Sequence, residues 1–235
     1  ILRGGVIFLF EQPLMDLKQY CISNSVNVLL AVVVQAEAIL RTFHSIGPDQ
    51  VFPRLSSFRL AGSSVSASLR EQIRLRLTSH LFVEYGANEC GGISISHGNE
   101  VFLDSFSVGM PLAGVDVQIV DNADQVLGAD EVGQIRVRTA TQIHGYWGDS
   151  GSSSKAFRNG WFYTGDKGAV SPQGYLRHFG RGDDVMIING ITVHPSELEE
   201  CLKGMPEIVD AIVVRARVPG RENFPLAIVQ LLEED

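Results

Sequence analysis

Residues 85 to 89 bring together an aromatic ring, an amide and a carboxylate. Their sequence is Tyr85-Gly86-Ala87-Asn88-Glu89, and we expect them to form one loop after a strand that ends at Tyr85. A tyrosine ring can stack on a nucleotide base, and a glutamate can hold Mg²⁺, which prefers oxygen ligands shared with phosphates. The alternative is a buried tyrosine beside a solvated glutamate, and this segment alone leaves both open.

A second polar group lies in the glycine-rich stretch of residues 160–190. Asp166 follows an aromatic run, and one carboxylate can accept hydrogen bonds from both hydroxyls of a vicinal diol such as ribose. Arg181 presents a permanent positive fork to hydroxyls or phosphate. The turn residues 171–174 between them predict a hairpin. This pair suggests a polar ligand held at a domain junction, and a surface hairpin with solvated charges is the equal alternative.

A third candidate is Gly62-Ser63-Ser64, which separates a predicted strand from a predicted helix. Glycine lets a ligand approach the backbone, and small hydroxyl side chains leave room for a flat ring or a polar group. A plain strand-to-helix turn explains the same residues more simply.

The elements that position these residues begin with an α/β pattern. Strands are predicted at residues 6–10, 58–61 and 81–85, and helices at residues 14–22 and 66–77. Residues 27–43 fit either a strand or a helix. The two candidate loops follow strands, at the edge of an open sheet where ligands bind.

Later in the chain the pattern changes twice. Short alternating strands at residues 115–120, 132–138, 161–163 and 175–179 predict a small antiparallel, β-barrel-like subdomain. A strand at 185–188, a helix opened by Pro195 and strands at 209–216 and 226–232 follow. We predict a mixed α/β fold with a large part at 1–180, divided into α/β (1–95) and β-rich (96–180) portions, and a partial carboxy-terminal domain at 181–235.

Composition excludes several classes of protein. The 235 residues have a formal net charge of −8, so no basic footprint for nucleic acid is present. No apolar run is long enough to span a bilayer. Cys21, Cys90 and Cys201 form neither a CxxC pair nor a disulfide framework, which favours a reducing cytoplasm. Both ends lie in or near apolar runs, so we expect a piece of a longer chain.

The order of the motifs is more specific than any one of them. The chain contains GSSVSASL, YGANECGGIS, VGMPLAGVDVQIVD, EVGQIR, GYW, GWFYTGD, GRGDDVMIING and VHPSELEE in that order. This series resembles the adenylate-forming enzymes, which comprise acyl- and aryl-CoA synthetases, luciferases and the adenylation domains of peptide synthetases. The resemblance covers essentially the whole chain. It implies ATP or AMP and Mg²⁺ as ligands, and a coenzyme A or phosphopantetheine thiol as co-substrate.

The resemblance also implies roles for the first two candidate segments. Gly62, Ser63 and Ser64 match a family loop that lines the adenine and acyl pocket. Tyr85 matches the residue that stacks on adenine, and Gly86 begins the segment that would line the rest of the pocket.

Five further positions take their roles from the same resemblance. Glu89 matches the magnesium-coordinating acid, and Asn88 falls where the family usually has a threonine that contacts phosphate. Asp166 matches the acid that binds the ribose hydroxyls, and Arg181 matches the arginine that also reaches the ribose. Asp183 falls at the hinge about which the small carboxy-terminal domain turns.

Some family features differ or are missing. Gln134 stands where a glutamate is common, and Ile187 where many members have a lysine. The family's lysine-containing phosphate loop and its catalytic lysine would lie upstream and downstream of these residues. We therefore expect an internal fragment that is inactive by itself.

The substrate class follows from one motif. Residues 193–199 are similar to the V-x-P-x-E-I-E form of acyl-CoA synthetases, which favours a fatty or aromatic carboxylic acid without an amino group. The family resemblance as a whole implies transfer of the acyl group to CoA or to the thiol of an acyl carrier protein. Two alternatives stay open: an amino-acid adenylation domain of a peptide synthetase, and a non-catalytic nucleotide-binding module.

Overall fold

The structure is a computed structural model that describes residues 6–7, 9–44, 50–52, 54–188, 191–218 and 221–231. The helices are α1 (Leu17–Ser23), α2 (Val33–Thr42), α3 (Ala67–Arg76), α4 (Ser150–Ala156) and α5 (Pro195–Lys203). The first strands are β1 (Val28–Val32), β2 (Ser57–Ala61), β3 (Leu81–Ala87), β4 (Gly91–His97), β5 (Ser107–Pro111), β6 (Val115–Val120) and β7 (Gly133–Thr139). The others are β8 (Phe157–Arg158), β9 (Trp161–Val170), β10 (Leu176–Arg181), β11 (Met186–Ile188), β12 (Ile191–Val193), β13 (Ile208–Val218) and β14 (Arg221–Leu231).

One mixed sheet of ten strands organises most of the described residues. Nine of them run in the order β1-β2-β3-β4-β5-β10-β9-β7-β6, and β8 pairs with β9. Strands β1 to β3 are parallel, whereas every later pair is antiparallel. The mixed α/β fold class is therefore confirmed. Within the described residues the antiparallel strands continue the sheet through the β5–β10 pair and do not close into a separate barrel.

Helix α3 shows how the sequence sets an element that borders the later site. The Ser66 side chain accepts a hydrogen bond from the Leu69 amide, which caps the first turn. Leu69 and Ile73 are buried against the parallel part of the sheet, and Arg74 and Arg76 lie in the last turn, where positive charge is favoured.

Several predicted elements are confirmed, the open assignment of residues 27–43 is resolved, and two predictions need correction. Residues 27–43 form a strand and then a helix: residues 28–32 pair with β2, and from Val33 onward the helical spacing buries Ala36 and Ile39. Residues 6, 7, 9 and 10 are not in a strand, and Phe8 lies outside the described residues. The segment 85–89 is not one loop: Tyr85 belongs to β3, which extends to Ala87 because β4 pairs with it. Strands β4 and β5 and helix α4 were not predicted.

The described residues after β10 contain two hairpins and a helix. Strand β11 pairs with β12, and β13 pairs with β14. Helix α5 contacts the preceding sheet through the Ser196 hydroxyl, which donates to the Phe179 carbonyl at 2.9 Å. Its Glu200 carboxylate accepts from the Ala67 amide at 2.8 Å. The division at residue 180 stays a prediction. Among the described residues, none of the helices has both the length and the apolar character needed to cross a membrane.

Candidate functional site

A cavity of about 680 Å³ lies where the parallel strands, the β9–β10 hairpin and the elements after β10 meet. Its lining from the sheet includes Gly62, Ser63, Ser64, Tyr85, Gly86, Asp166, His178 and Arg181. The opposite wall comes from the carboxy-terminal elements and includes Asp183, Ser196, Glu199 and Arg215. The structure therefore brings residues from four separate parts of the sequence to one concave surface.

Asp166 is the centre of the polar contacts in this cavity. Its side chain is 11% exposed, and its Oδ2 accepts a 2.6 Å hydrogen bond from the Tyr85 hydroxyl. The Arg181 Nη1 lies 3.1 Å from Oδ1, and the His178 Nε2 lies 3.5 Å from Oδ2. Three donor groups from two strands thus converge on one carboxylate.

The β9–β10 ladder explains why His178 and Arg181 both reach Asp166. His178 pairs with Gly168 and Arg181 pairs with Asp166, so β10 has one extra residue between the two pairs. In a regular strand, residues three apart point to opposite faces, and one inserted residue brings them to the same face. Gly180 lies in this bulge with φ +92°, a conformation that glycine adopts without strain.

Gly165 leaves the space that the Arg181 guanidinium occupies. A Cβ at Gly165 would lie 2.6 Å from Arg181 Nη2 and 3.0 Å from its Cζ. The guanidinium also donates to the Thr164 carbonyl at 2.8 Å, on the other side of the same glycine. In the Thr164-Gly165-Asp166 sequence, the Thr164 carbonyl and the Asp166 carboxylate therefore accept hydrogen bonds from Arg181, and Gly165 leaves room for the guanidinium.

The protonation states follow from these contacts. Burial by itself would raise the pKa of Asp166, but hydrogen bonds from His178 and Tyr85 and the charges of His178 and Arg181 outweigh it, so the pKa is lowered. Burial, followed by the neighbouring Asp166, raises the pKa of Tyr85. At neutral pH the site thus contains an ionised carboxylate and a neutral phenol that donates to it. The carboxylate oxygens can accept hydrogen bonds from vicinal hydroxyls that enter the cavity.

Gly86 has a structural role at the edge of the cavity. A Cβ there would lie 2.6 Å from the Gly91 carbonyl oxygen, so the close pairing of β3 with β4 requires glycine at this position. Gly62, Ser63 and Ser64 form the exposed turn between β2 and α3, and all three line the cavity.

Asn88 and Glu89 lie in the turn between β3 and β4, and neither is part of the cavity lining. The Tyr146 hydroxyl donates a 2.9 Å hydrogen bond to Glu89 Oε1. Burial, then this hydrogen bond, raises the pKa of Tyr146, while the charge of Arg181 opposes the change. Tyr146 therefore lies within electrostatic reach of both Glu89 and Arg181.

The surroundings of Glu89 are compatible with a magnesium ion that this carboxylate and substrate phosphates would bind together. Among the described residues, no three His, Cys, Asp or Glu side chains cluster as a metal site. The Glu89 Oε2 has no hydrogen-bond partner in that part of the chain. Mg²⁺ often takes one or two carboxylates and completes its shell with water and substrate phosphates, so one free carboxylate oxygen is compatible with such binding.

Two residues of this region were missed by sequence reasoning. His178 is in β10 and packs against the Tyr85 ring with centroids 5.0 Å apart. Tyr146 belongs to the GYW motif, but its contact with Glu89 spans 57 residues of sequence. The sequence pattern indicates a strand at β10. It does not indicate the bulge that turns His178 and Arg181 to the same face.

Comparison with known proteins agrees with this geometry. The AMP-binding enzyme family matches residues 1–147. The chain is 40% identical over 130 residues, 55% of its length, to a 3-hydroxybenzoate–CoA ligase of Aromatoleum sp. (strain CIB). It is 33% identical over 130 residues to a 3-hydroxybenzoate–CoA/4-hydroxybenzoate–CoA ligase of Thauera aromatica. It spans 24% of the length of each of these relatives.

A solved structure shares the fold over nearly all of the chain. The O-succinylbenzoate coenzyme A synthetase of Bacillus subtilis, in complex with ATP and magnesium ion, superposes with a TM-score of 0.81 at 24% identity. The match covers 95% of this chain and 45% of that one. Since the family match covers more than half of the residues, the chain belongs to the AMP-binding enzymes, the adenylate-forming superfamily.

Proposed function

We propose that this chain forms the nucleoside-binding part of an ATP-dependent acid–thiol ligase that releases AMP. The observation that supports this most is the set of donors around Asp166, which leaves an ionised carboxylate facing a cavity of about 680 Å³. Asp166 would accept hydrogen bonds from the ribose hydroxyls, with Arg181 beside it. The Tyr85 ring would stack on adenine, and Gly62, Ser63 and Ser64 would border the adenine and the acid.

The proposed reaction has two steps. A substrate carboxylate attacks the α-phosphorus of ATP, forming a mixed anhydride with AMP and releasing pyrophosphate. A thiolate then attacks the acyl carbon, so that a thioester forms and AMP leaves. Glu89 would hold Mg²⁺, which neutralises phosphate charge in the first step, and Asn88 would donate to a phosphate oxygen.

An aromatic acid is the proposed substrate, and coenzyme A the proposed thiol. Two relatives at 40% and 33% identity are named as hydroxybenzoate–CoA ligases. Residues 91 and 92 are exposed glycines next to the Glu89 turn, and we propose that the ring of the acid binds beside them. A fatty acid and an amino acid are the alternatives that the experiment separates, and a carrier-protein thiol is the alternative acceptor in the second step.

The segment from residue 181 onward is proposed to turn about Asp183. The Arg215 guanidinium donates to the Asp183 carbonyl at 3.1 Å and also to the Val185 carbonyl. The bond to Val185 lies within the turning segment and would move with it, whereas the bond to Asp183 lies at the proposed hinge and would have to change if the segment turned.

Two measurements test the proposal at different levels. Calorimetry on the 235-residue chain should show AMP binding that Asp166→Ala abolishes. An enzyme of the relatives' full length that contains this segment should exchange labelled pyrophosphate into ATP, most rapidly with hydroxybenzoates. Exchange with fatty or amino acids alone would change the substrate class. AMP binding without exchange for any acid would refute the ligase and support a non-catalytic nucleotide-binding module.

A further inference from the structure

Arg70 of α3 is a buried cation beneath the nucleotide cavity. It is 2% exposed and lines the cavity from below the Gly62–Ser64 turn. Among the described residues it has no carboxylate within ion-pair distance. A guanidinium without a paired anion is costly to bury unless all of its N–H groups are satisfied.

Backbone carbonyls satisfy this guanidinium on every side. Nε donates to Val65 at 2.8 Å, and Nη1 donates to Val101 at 2.8 Å and Asp104 at 3.2 Å. Nη2 donates to Ser105 at 2.6 Å and Ser107 at 3.2 Å. Burial lowers the pKa of Arg70 to about 10, against the charges of Glu200 and Asp104, so the group stays positive at neutral pH.

The bonded carbonyls belong to two segments that both contribute to the cavity wall. Val65 directly follows the turn of Gly62, Ser63 and Ser64, and Ser105 and Phe106 line the cavity as well. The Phe106 carbonyl accepts a 2.9 Å hydrogen bond from the His178 amide. Arg70 is thus joined through Phe106 to His178, whose side chain reaches Asp166.

We propose that Arg70 is a positioning residue for nucleotide binding, because it fixes the residue 62–65 turn and the residue 101–107 segment relative to the strand that presents His178 and Arg181. The proposal rests on the function proposed above, since it assigns a role within the same site. Arg70 itself touches no reacting atom.

The fork geometry of arginine is central to this role. A lysine has three donors on one nitrogen and cannot reach five carbonyls that surround a planar group. Arg70→Lys should therefore keep the positive charge and lose most of the positioning. Arg76→Lys is the matched control, because Arg76 lies on the same helix, donates to the Leu40 carbonyl and does not line the cavity.

The test measures AMP affinity by calorimetry and amide exchange by mass spectrometry on the 235-residue chain. Arg70→Lys should weaken AMP binding about tenfold, equivalent to about 1.4 kcal/mol, and accelerate exchange in residues 101–107. Arg76→Lys should leave the affinity within about twofold. A lower melting temperature for Arg70→Lys with unchanged AMP affinity, measured where the variant is folded, would show a purely structural residue and overturn the proposal.

A measurement on the unmodified chain tests the positioning role of Arg70 even if the Arg70 variant does not fold. AMP should slow amide exchange in residues 101–104, which do not line the cavity, as well as around Asp166, because Arg70 connects Val101 and Asp104 to the site. Protection around Asp166 without any in residues 101–104 would contradict the coupling. If the unmodified chain binds no AMP at all, the proposed function fails first, and this inference fails with it.

Discussion

Gly165 and Arg181 share one space beside Asp166: the arginine guanidinium lies where any side chain at residue 165 would begin. The Nη2 atom would be 2.6 Å from a Cβ built on Gly165, and Gly165 has φ +81°. The glycine therefore matters both for its backbone conformation and for the room that it leaves to the arginine.

Gly165→Ala should weaken AMP binding because the methyl group displaces Arg181 from Asp166. The left-handed backbone should also cost about 1 kcal/mol of stability. Gly160→Ala is the control, since Gly160 has φ +79° and no heavy atom within 4 Å of its built Cβ. Both variants should lose similar stability in denaturant titrations, and only Gly165→Ala should lose affinity in calorimetry. Equal affinities would show that Arg181 does not contribute to binding.

Asp166→Asn should lower the free energy of unfolding at neutral pH. It should also make this free energy depend less on pH in the acid range. The pKa of Asp166 is lowered in the folded protein, so its contribution is present above the unfolded value of about 3.9 and is lost as pH falls through the folded value. Urea unfolding at pH 7 should show a loss of about 1–3 kcal/mol, which shrinks toward zero in strong acid.

Asp116→Asn is the control for the unfolding measurements on Asp166→Asn. Asp116 pairs with Arg138 at the surface, with side chains 60% and 54% exposed, so its removal should cost less than about 1 kcal/mol. A stability difference for Asp166→Asn that does not change between pH 7 and pH 2.5 would contradict the assigned ionisation.

Tyr85 has two separable groups, a hydroxyl that donates to Asp166 and a ring that faces the cavity. Tyr85→Phe should lower stability by about 1–2 kcal/mol through the lost hydrogen bond to a charged group, and AMP affinity should stay within about threefold. Tyr85→Ala should weaken AMP at least about tenfold, because base stacking is worth about 1–3 kcal/mol. If calorimetry gives the two variants the same affinity, the ring does not stack on the base.

Glu89→Gln tests the magnesium assignment. The variant should bind AMP with unchanged affinity and lose the gain in ATP affinity that Mg²⁺ provides, because an amide is a poor ligand for this cation. Glu100→Gln is a matched control, since Glu100 accepts a 2.7 Å hydrogen bond from Tyr175 much as Glu89 accepts one from Tyr146. Titrating ATP with and without Mg²⁺ measures the effect, and an undiminished gain in Glu89→Gln would place the cation elsewhere.

The sequence alone was enough to predict several of the elements and to name candidate site residues. The α/β pattern before residue 95, the alternating strand at residues 115–120 and the helix at Pro195 follow from hydrophobic period and helix-start residues, which are local properties. Tyr85, Asp166 and Arg181 could be named as candidates because their chemistry suits a nucleoside and their motifs resemble a known family.

Only the tertiary structure decided how these residues meet. Tyr85 and Asp166 are 81 residues apart in sequence, and they touch because β3 and β9 belong to one sheet that β5 and β10 join. The bulge at Gly180 turns Arg181 to the side of His178, and pairing register of this kind depends on the partner strand. Burial of Arg70 depends on five carbonyls from two separate segments of the chain, and no local pattern indicates such long-range contacts.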